Sequence, residues 1–444
     1  MVIASLIRKV FFSVITILFA TNSFSADLVR IYALAEKNDP VYQQEISTHR
    51  AILESKPQAW SQLLPSLDIS ANTRRNAQDI TTSGSSIGAD GEIDFNSHGY
   101  SLNLSQPLFR RDRFIALSQA DSQIKESEAK LAKSQQNLIV SVSESYFNVL
   151  RGLDNLVFAE IETKSLNRQL EQANQRFEVG LSAITDVQEA QAGYDLAVAQ
   201  EIVAINAIDN AKEEIRELTG EYIDDFDGLS ENIALIRPDP EEIDSWTELS
   251  IKQNLDVSAA NFALEIARKE IKKQSAAHLP TVDIVASHGY DSTGGRFGST
   301  RTDRSSIGLE LNVPLYTGGL VSSKTREAHE RYNLAMHYLE KARRSAQRNT
   351  REAYLGVISG ISQVNALKQA VVSSETALLA TEAGFEVGTR TAVDVVASQR
   401  ATSKARRDYS NAKYNYILNT LKLKQAAGTL SPNDLNIINA WLIK

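Results

Sequence analysis

The sequence predicts a mainly α-helical protein with a small β part. Long antiparallel helical hairpins are combined with four amphipathic strands per protomer, in two internal structural repeats. Three observations predict this fold class. Residues 177–187 return in similar form as residues 385–395, each copy lies between two long proline-free helical patterns, and each half of the chain has two stretches of alternating polar and apolar residues. Such repetition indicates a repeated architecture.

The repeated segment is predicted to be the tip of a helical hairpin. Gly180 and Gly388 supply the permissive backbone that ends a helix. A helix that follows such a turn needs side-chain oxygens to cap its first amide groups. The candidates for this role are Thr185, Asp186, Thr391 and Asp394.

The composition excludes several classes of protein. A formal net charge of −8 argues against a nucleic-acid partner, which would need a basic face. With no cysteines, the chain has no disulfides, thiolate metal sites, cysteine nucleophiles or lipidated N-terminal cysteine. There is no Gly-rich phosphate loop opening a helix after a strand, and His329-Glu330 lacks the second His of a zinc protease motif. We therefore expect no enzyme, no cofactor and no metal site.

The first residues have the pattern of a secretory signal peptide. Arg8 and Lys9 precede an apolar run of about eleven residues, and small residues follow at Ser25 and Ala26. The alternative, a membrane anchor, needs a run long enough to span about 30 Å as a helix, and this run is too short. We therefore expect a signal peptide over residues 1–25, export through the Sec pathway, and no transmembrane helix.

Four short strands are predicted from alternation with period two. A proline at the helix-side end of each strand prevents the adjoining helix from running into it. Gly-, Ser- and Thr-rich loops are expected at residues 76–97 and 291–304. The strands lie at about 66–75, 98–107, 281–290 and 305–314, and the prolines are Pro65, Pro107, Pro280 and Pro314.

The strands have the length and alternation of an outer-membrane barrel, since about ten residues cross the membrane when tilted. A soluble β-sandwich is the alternative. Four strands cannot close a hollow barrel, and an open edge in lipid would leave backbone groups unpaired at several kcal/mol each. Three protomers would give a trimeric 12-stranded transmembrane β-barrel. Tyr100 and Tyr290, which each follow Ser-His-Gly beside a loop, are then expected at one depth, as an aromatic girdle.

The helical patterns repeat about every 3.5 residues, which indicates helices that coil on their neighbours. A helix from Arg110 to Phe177 would be about 100 Å long at 1.5 Å per residue. An ordinary coiled coil or spectrin-like bundle is the alternative, and the strands argue against it. The predicted organisation is a first repeat over 26–220 with its tip at 178–186, an acidic irregular segment over 221–244, a second repeat over 245–428 with its tip at 386–394, and a tail over 429–444.

With this order of elements, the chain resembles the TolC family of trimeric outer-membrane efflux and export channels. The most specific matches are Val179-Gly180-Leu181 with Ile184-Thr185-Asp186-Val187, and Val387-Gly388-Thr389-Arg390-Thr391 with Val393-Asp394-Val395. The resemblance covers essentially all of the mature chain. It implies a 12-stranded barrel continued by a 12-helix periplasmic tunnel (an α-barrel), which serves as an exit duct for drug efflux and type I protein secretion.

The resemblance also implies roles for the tips. They would close the inner end of the tunnel and dock on periplasmic adaptor (membrane fusion) proteins that serve RND-type or ABC-type inner-membrane transporters. The second hairpin would be the inner, mobile one. The expected tip and adaptor contacts are Gly180, Leu181, Gly388 and Thr389.

The gate implied by the family has polar links between hairpins and a ring of three carboxylates. Asp394 would supply the ring, in which like-charge crowding would raise its pKa and attract cations. Arg390 would bond near Thr185. Asp186 would meet an aromatic hydroxyl, but Phe385 has none, so this second link should be absent. A further entrance carboxylate of close relatives is replaced here by Ala397.

Two alternatives remain open. Asp186 and Asp394 can also be plain helix caps. The whole chain could be a periplasmic coiled-coil adaptor or scaffold without a pore, although such an adaptor should have one hairpin flanked by small β-domains. The two hairpins and duplicated amphipathic strands favour the channel.

Overall fold

The computed structural model describes residues 26–81, 90–295 and 298–443. The signal peptide predicted over 1–25 lies outside this description. The described chain is mainly helical with a small β part, which confirms the predicted fold class. It divides into two compact units: one has residues up to 44, 132–254 and 345 onward, and the other has residues 45–131 and 255–344.

The helices of the first half begin with three short elements. They are α1 (Leu28–Asn38), α2 (Pro40–Leu53) and α3 (Ser55–Ser61). Pro40 cannot continue α1 and instead opens α2, so the break follows from proline chemistry. The long hairpin consists of α4 (Arg111–Glu178) and α5 (Ile184–Thr219).

The second half repeats this order. It contains α6 (Ile243–Gln253), α7 (Leu255–Ser275), a 3₁₀ turn (Ala276–His278), α8 (Leu320–Glu386), α9 (Ala392–Ala427) and α10 (Pro432–Asn439). Helices α4 and α5 have 68 and 36 residues, and α8 and α9 have 67 and 36. The two hairpins therefore match in length almost residue for residue. Within the described ranges, no helix combines the length and the hydrophobicity needed to cross a membrane.

One antiparallel sheet contains the four predicted strands in the order β1-β2-β4-β5. The strands are β1 (Ser66–Ile80), β2 (Gly91–Phe109), β4 (Thr281–Thr293) and β5 (Thr300–Asn312). β3 (Gly228–Leu229) pairs with β6 (Leu442–Ile443) in a separate two-stranded ribbon. Within the chain, β1 and β5 are the edges of the larger sheet.

The strands extend beyond their expected ends, so the loop predictions for 76–97 and 291–304 were partly wrong. The pairing of β1 with β2 continues to Ile80 opposite Gly91, and that of β4 with β5 continues to Thr293 opposite Thr300. Polar, Gly-rich composition did not end these strands because each has a partner for its backbone groups.

Pro107 also does not end its strand, contrary to the sequence prediction. β2 runs on to Phe109, with a shift in its register against β4 between Pro107 and Phe109. The pairing with β1 has already stopped at Ser105, opposite Ser66. Pro107 therefore has only one neighbouring strand, and the irregularity accommodates its missing amide hydrogen.

The sheet has one apolar and one polar face, as the alternation predicted. On one face Leu67 lies opposite Leu104, which lies opposite Ala286, which lies opposite Ile307. The adjoining rows of the other face are polar, for example Asp68 opposite Asn103 and Ser70 opposite Ser101. The apolar face is uncovered in the single chain: Ile69 is 74% exposed and Ile307 is 81% exposed. A contiguous apolar surface of this kind marks a protein or membrane contact.

Buried tyrosine hydroxyl groups hold the acidic segment 221–244 against the long helices. Tyr146 donates to the Asp227 carbonyl at 2.7 Å, and its ring packs edge-on against Phe226 at 5.8 Å between centroids. Tyr416 accepts from the Ile236 amide at 2.7 Å and donates to the same residue's carbonyl at 2.9 Å. Burial raises the pKa of both Tyr146 and Tyr416, so the hydroxyl groups stay protonated and can donate.

Candidate functional site at the hairpin tips

The first hairpin tip turns on a left-handed glycine. Helix α4 ends at Glu178, and Gly180 has φ 76°. The Gly180 amide donates to the Phe177 carbonyl at 2.9 Å, and the Leu181 amide donates to the Arg176 carbonyl at 2.8 Å. This nested pair of hydrogen bonds is the Schellman motif, which satisfies the last carbonyls of a helix.

The second tip repeats the motif. Gly388 has φ 79°, its amide donates to the Phe385 carbonyl at 3.1 Å, and the Thr389 amide donates to the Gly384 carbonyl at 2.8 Å. At Gly180 and at Gly388, no atom lies within 4 Å of the position that a Cβ would occupy. The positive φ, rather than lack of space, is therefore what requires glycine at both tips.

Thr391 and Asp394 form a reciprocal cap at the start of α9, as predicted. The Thr391 amide donates to Asp394 Oδ2 at 2.9 Å, and the Asp394 amide donates to Thr391 Oγ1 at 3.3 Å. The Thr391 hydroxyl also donates to Asp394 Oδ2 at 2.9 Å. This capping box satisfies amide groups that the first turn of a helix leaves unpaired.

In the first tip the cap prediction was wrong for Thr185. The N-cap of α5 is Ala183, three residues after Gly180, just as Thr391 comes three residues after Gly388. Thr185 falls inside the first turn. Ala183 has no side-chain acceptor, so only half of the box forms: its amide donates to Asp186 Oδ2 at 3.3 Å. A spacing of three residues from the turn glycine therefore identifies the N-cap in both tips.

The cap changes the titration of Asp394. The hydrogen bond from the Thr391 amide, then the bond from the Thr391 hydroxyl, and the nearby charge of Arg390 hold the pKa of this carboxyl below its ordinary value of 3.8. Crowding in a three-carboxylate ring would act in the opposite direction. The raised pKa expected for such a ring concerns the assembly and remains a prediction.

Acid is expected to loosen the start of α9. Because the folded pKa of Asp394 is depressed, the cap stabilises the tip fully above pH 3.8, and this contribution is lost as the pH falls through the lower folded value. Hydrogen exchange of the first amides of α9, corrected for intrinsic rates, should show less protection at pH 3 than at pH 6. Thr391→Ala should weaken protection already at pH 6. Equal protection at both pH values in the wild type would contradict the cap.

Arg176 and Phe385 connect the two tips, and sequence analysis did not identify Arg176. The Arg176 guanidinium lies over the Phe385 ring, with 4.7 Å from Cζ to the ring centroid. Its Nη1 also donates to the Phe385 carbonyl at 3.4 Å. A cation–π contact at an exposed site contributes about 0.5–1 kcal/mol. This contact joins residues 209 positions apart, so no local sequence pattern signals it.

Arg390 packs along the end of α8. A Cβ at Gly384 would lie only 2.7 Å from Arg390 Cγ, so the glycine makes room for the arginine stem. Among the described residues, no hydrogen bond joins Arg390 to Thr185 or Asp186 to Phe385 within one chain. The link from Arg390 to Thr185 therefore remains a prediction for neighbouring protomers. Phe385 has no hydroxyl to offer to Asp186.

Behind the tips, the hairpins meet through a small apolar cluster. Leu166 of α4, Ala197 of α5 and Val396 of α9 are buried together, with Tyr194 packed against them. A Cβ on Gly193 would lie 3.3 Å from Val396 Cγ1, so the helices approach closely here. The cluster joins the two hairpins about one turn after the start of α9 and about three turns before the end of α4.

The predicted aromatic pair lies on the sheet. Tyr100 and Tyr290 are directly opposite in the register of β2 and β4, with stacked rings 6.0 Å apart. On β2 the next residue of that face is the polar His98, which pairs with Ser292, whereas on β4 and β5 polar residues begin one row before the tyrosines, where His288 lies opposite Ser305. The described residues contain no group of three or more His, Cys, Asp or Glu side chains that could hold a metal ion.

Comparison with known proteins identifies a family and relatives that this chain resembles. The family described as "Outer membrane efflux protein" matches residues 31–221 and 246–429. Outer membrane protein TolC of Vibrio cholerae serotype O1 is 38% identical, and the alignment covers 94% of each chain. Alkaline protease secretion protein AprF of Pseudomonas aeruginosa is 29% identical over 97% of this chain and 90% of its own.

A solved structure shares the fold. The Campylobacter jejuni CmeC outer membrane channel superposes with a TM-score of 0.77 at 17% identity, covering 94% of this chain and 90% of that one. The similarity to CmeC supports the same fold.

Proposed function

Because the chain belongs to the outer membrane efflux protein family, we propose that three copies pool their strands and hairpins into one passive channel-tunnel through which substrates leave the periplasm. The observation that carries this proposal is the four-stranded sheet with an uncovered apolar face, a polar face and two open edges. Energy for export would come from inner-membrane transporters.

Family membership confirms three sequence expectations. The protein is an outer-membrane protein, its role is in efflux, and it is a transport protein rather than an enzyme. The alternative of a periplasmic adaptor or scaffold without a pore has no support among the known relatives.

Sheet geometry supports the trimeric barrel. Unpaired edge strands in lipid leave backbone groups without partners, and four strands are too few to surround a pore. Three sheets joined edge to edge, β5 of one protomer to β1 of the next, would make twelve strands with the apolar face toward lipid. Tyr100 and Tyr290 would form the girdle at one boundary of the apolar band. In this assignment, repeats 26–220 and 245–428 each supply two strands and one hairpin.

Exposed apolar side chains at the tips support docking on other proteins. Leu181 is 75% exposed and Val387 is 76% exposed, each beside its turn glycine. Gly180, Leu181, Gly388 and Thr389 would contact periplasmic adaptor proteins that bring an RND-type or ABC-type transporter to the channel. The relative named for alkaline protease secretion supports type I protein export beside drug efflux.

Mass measurement tests the assembly. Protein extracted in mild detergent from an outer-membrane fraction should have the mass of three chains and resist mild SDS, since the open edges would be paired. Light scattering with detergent correction, or native mass spectrometry, would give the number of chains per assembly directly. A soluble monomer recovered from the periplasm would refute the barrel.

Arg390→Ser tests the gate. If Arg390 bonds to a neighbouring hairpin near Thr185, its removal should loosen the closed tip and raise single-channel conductance in a planar bilayer. Arg400→Ser is the matched control, because Arg400 is likewise an exposed arginine but lies on α9, outside the tip. Equal conductance for Arg390→Ser and the wild type would make Arg390 an ordinary surface residue.

A further inference from the structure

We infer that Arg176 is the residue that ties the two hairpin tips of one protomer together, by stacking on Phe385 and binding its carbonyl. This inference rests on the proposed function, because it gives Arg176 a role in keeping the channel closed. The contact is made with the ring face at 4.7 Å and with the carbonyl oxygen at 3.4 Å, so it needs no hydroxyl on the aromatic residue.

We call the contact between Arg176 and Phe385 the tie. Both residues belong to hydrogen-bonded turns. The Arg176 carbonyl accepts the Leu181 amide in the first Schellman motif, and the Phe385 carbonyl accepts the Gly388 amide in the second. The Phe385 carbonyl therefore receives two hydrogen bonds, one from its own turn and one from the opposite hairpin. Because the turns fix both backbones, little backbone entropy is lost when the side chains meet.

The contact between Arg176 and Phe385 lies well beyond the buried cluster that joins the hairpins, on the side of the tips. The buried apolar cluster that joins the hairpins includes Leu166 of α4, ten residues or about 15 Å before Arg176 along the helix. On the tip side of Leu166, and among the residues that the structure describes, Arg176 makes the one side-chain hydrogen bond that joins the hairpins. Beyond the cluster of Leu166, Ala197 and Val396, Arg176 therefore provides a polar link between the two tips.

Arg176→Gln would remove the cation while keeping a polar side chain, and Phe385→Leu would remove the ring face while keeping an apolar side chain. If the tie holds the tips, each change should raise the ratio of open to closed tips by about two- to fivefold per protomer, the range that corresponds to one exposed cation–π contact. Phe385→Tyr keeps the ring and should preserve the tie.

A double-mutant cycle tests the tie. Single-channel recordings of purified full-length trimers would compare Arg176→Gln, Phe385→Leu and the double variant, with Arg168→Gln as the control for loss of an exposed arginine on the same helix. We expect the double variant to open no more than either single variant, and Arg168→Gln to match the wild type.

Additive effects of the two substitutions, or an unchanged open fraction in Arg176→Gln, would overturn the tie while leaving the channel in place. Wild-type protein that forms no conducting channel would overturn the proposed function, and the inference with it. Unfolding midpoints of the variants close to that of the wild type would show that changes in opening do not come from loss of folded protein.

Discussion

Gly428→Ala should be among the most destabilising single substitutions in this chain, at about 2–5 kcal/mol. Gly428 ends α9 with φ 79°, a conformation that costs a residue with a Cβ about 1–2 kcal/mol. In addition, the new Cβ would overlap the backbone carbonyl of Gln253 and lie 2.9 Å from the Asn254 amide nitrogen, where α6 ends. Backbone atoms cannot rotate away as a side chain can, so α9 and α6 would have to separate.

Gly388→Ala is the matched control. Gly388 has the same φ of 79°, but nothing lies within 4 Å of its missing Cβ. Its alanine variant should therefore show the backbone strain alone, about 1–2 kcal/mol. Unfolding by denaturant in detergent, followed by circular dichroism, would give both values. Equal losses at the two positions would show that the approach of Gln253 to Gly428 has no energetic consequence.

Asp394→Ala should weaken block of the channel by multivalent cations by about tenfold or more, because three carboxylates would attract one cation together. Passage of monovalent cations should rise by less. The measurement is conductance against the concentration of a trivalent cation complex added on the side of the tips. Unchanged block would remove the carboxylate ring from the proposed function.

Thr391→Ala separates the charge of Asp394 from its role as a cap. This substitution removes the hydroxyl that donates to Asp394 Oδ2 and accepts from the Asp394 amide, but it leaves the carboxylate in place. Block by multivalent cations should therefore survive in Thr391→Ala. If Thr391→Ala and Asp394→Ala lose block by multivalent cations equally, the position of the carboxylate matters as much as its charge.

Local features of this chain were predictable from sequence because neighbouring residues determine them. The turns at Gly180 and Gly388 and the capping pair of Thr391 and Asp394 depend on spacings of three to five residues. Thr185 was misassigned because its hydroxyl suggested a cap, whereas the distance from the turn glycine decides which residue is the N-cap.

Features that depend on distant partners were harder to predict. The strands outlast their apolar alternation because pairing between chain segments, rather than composition, sets where they end. Pro107 stays inside β2 because β1 has already stopped pairing. Arg176 could not be singled out, since its stacking partner Phe385 lies on the other hairpin. The apolar and polar faces were predictable because alternation alone assigns each residue to a face.

The open edges of the sheet bear on how much of this protein a cell can make at one time. A protomer whose β1 and β5 are both unpaired can join any exposed strand that it meets. In the proposed trimer, correct closure requires two further copies, so its rate would rise steeply with the local concentration of protomers at the membrane. Mispairing with unrelated strands depends instead on how long each protomer waits alone. Slow, scattered delivery to the membrane is therefore more hazardous for this fold than synthesis in a local burst.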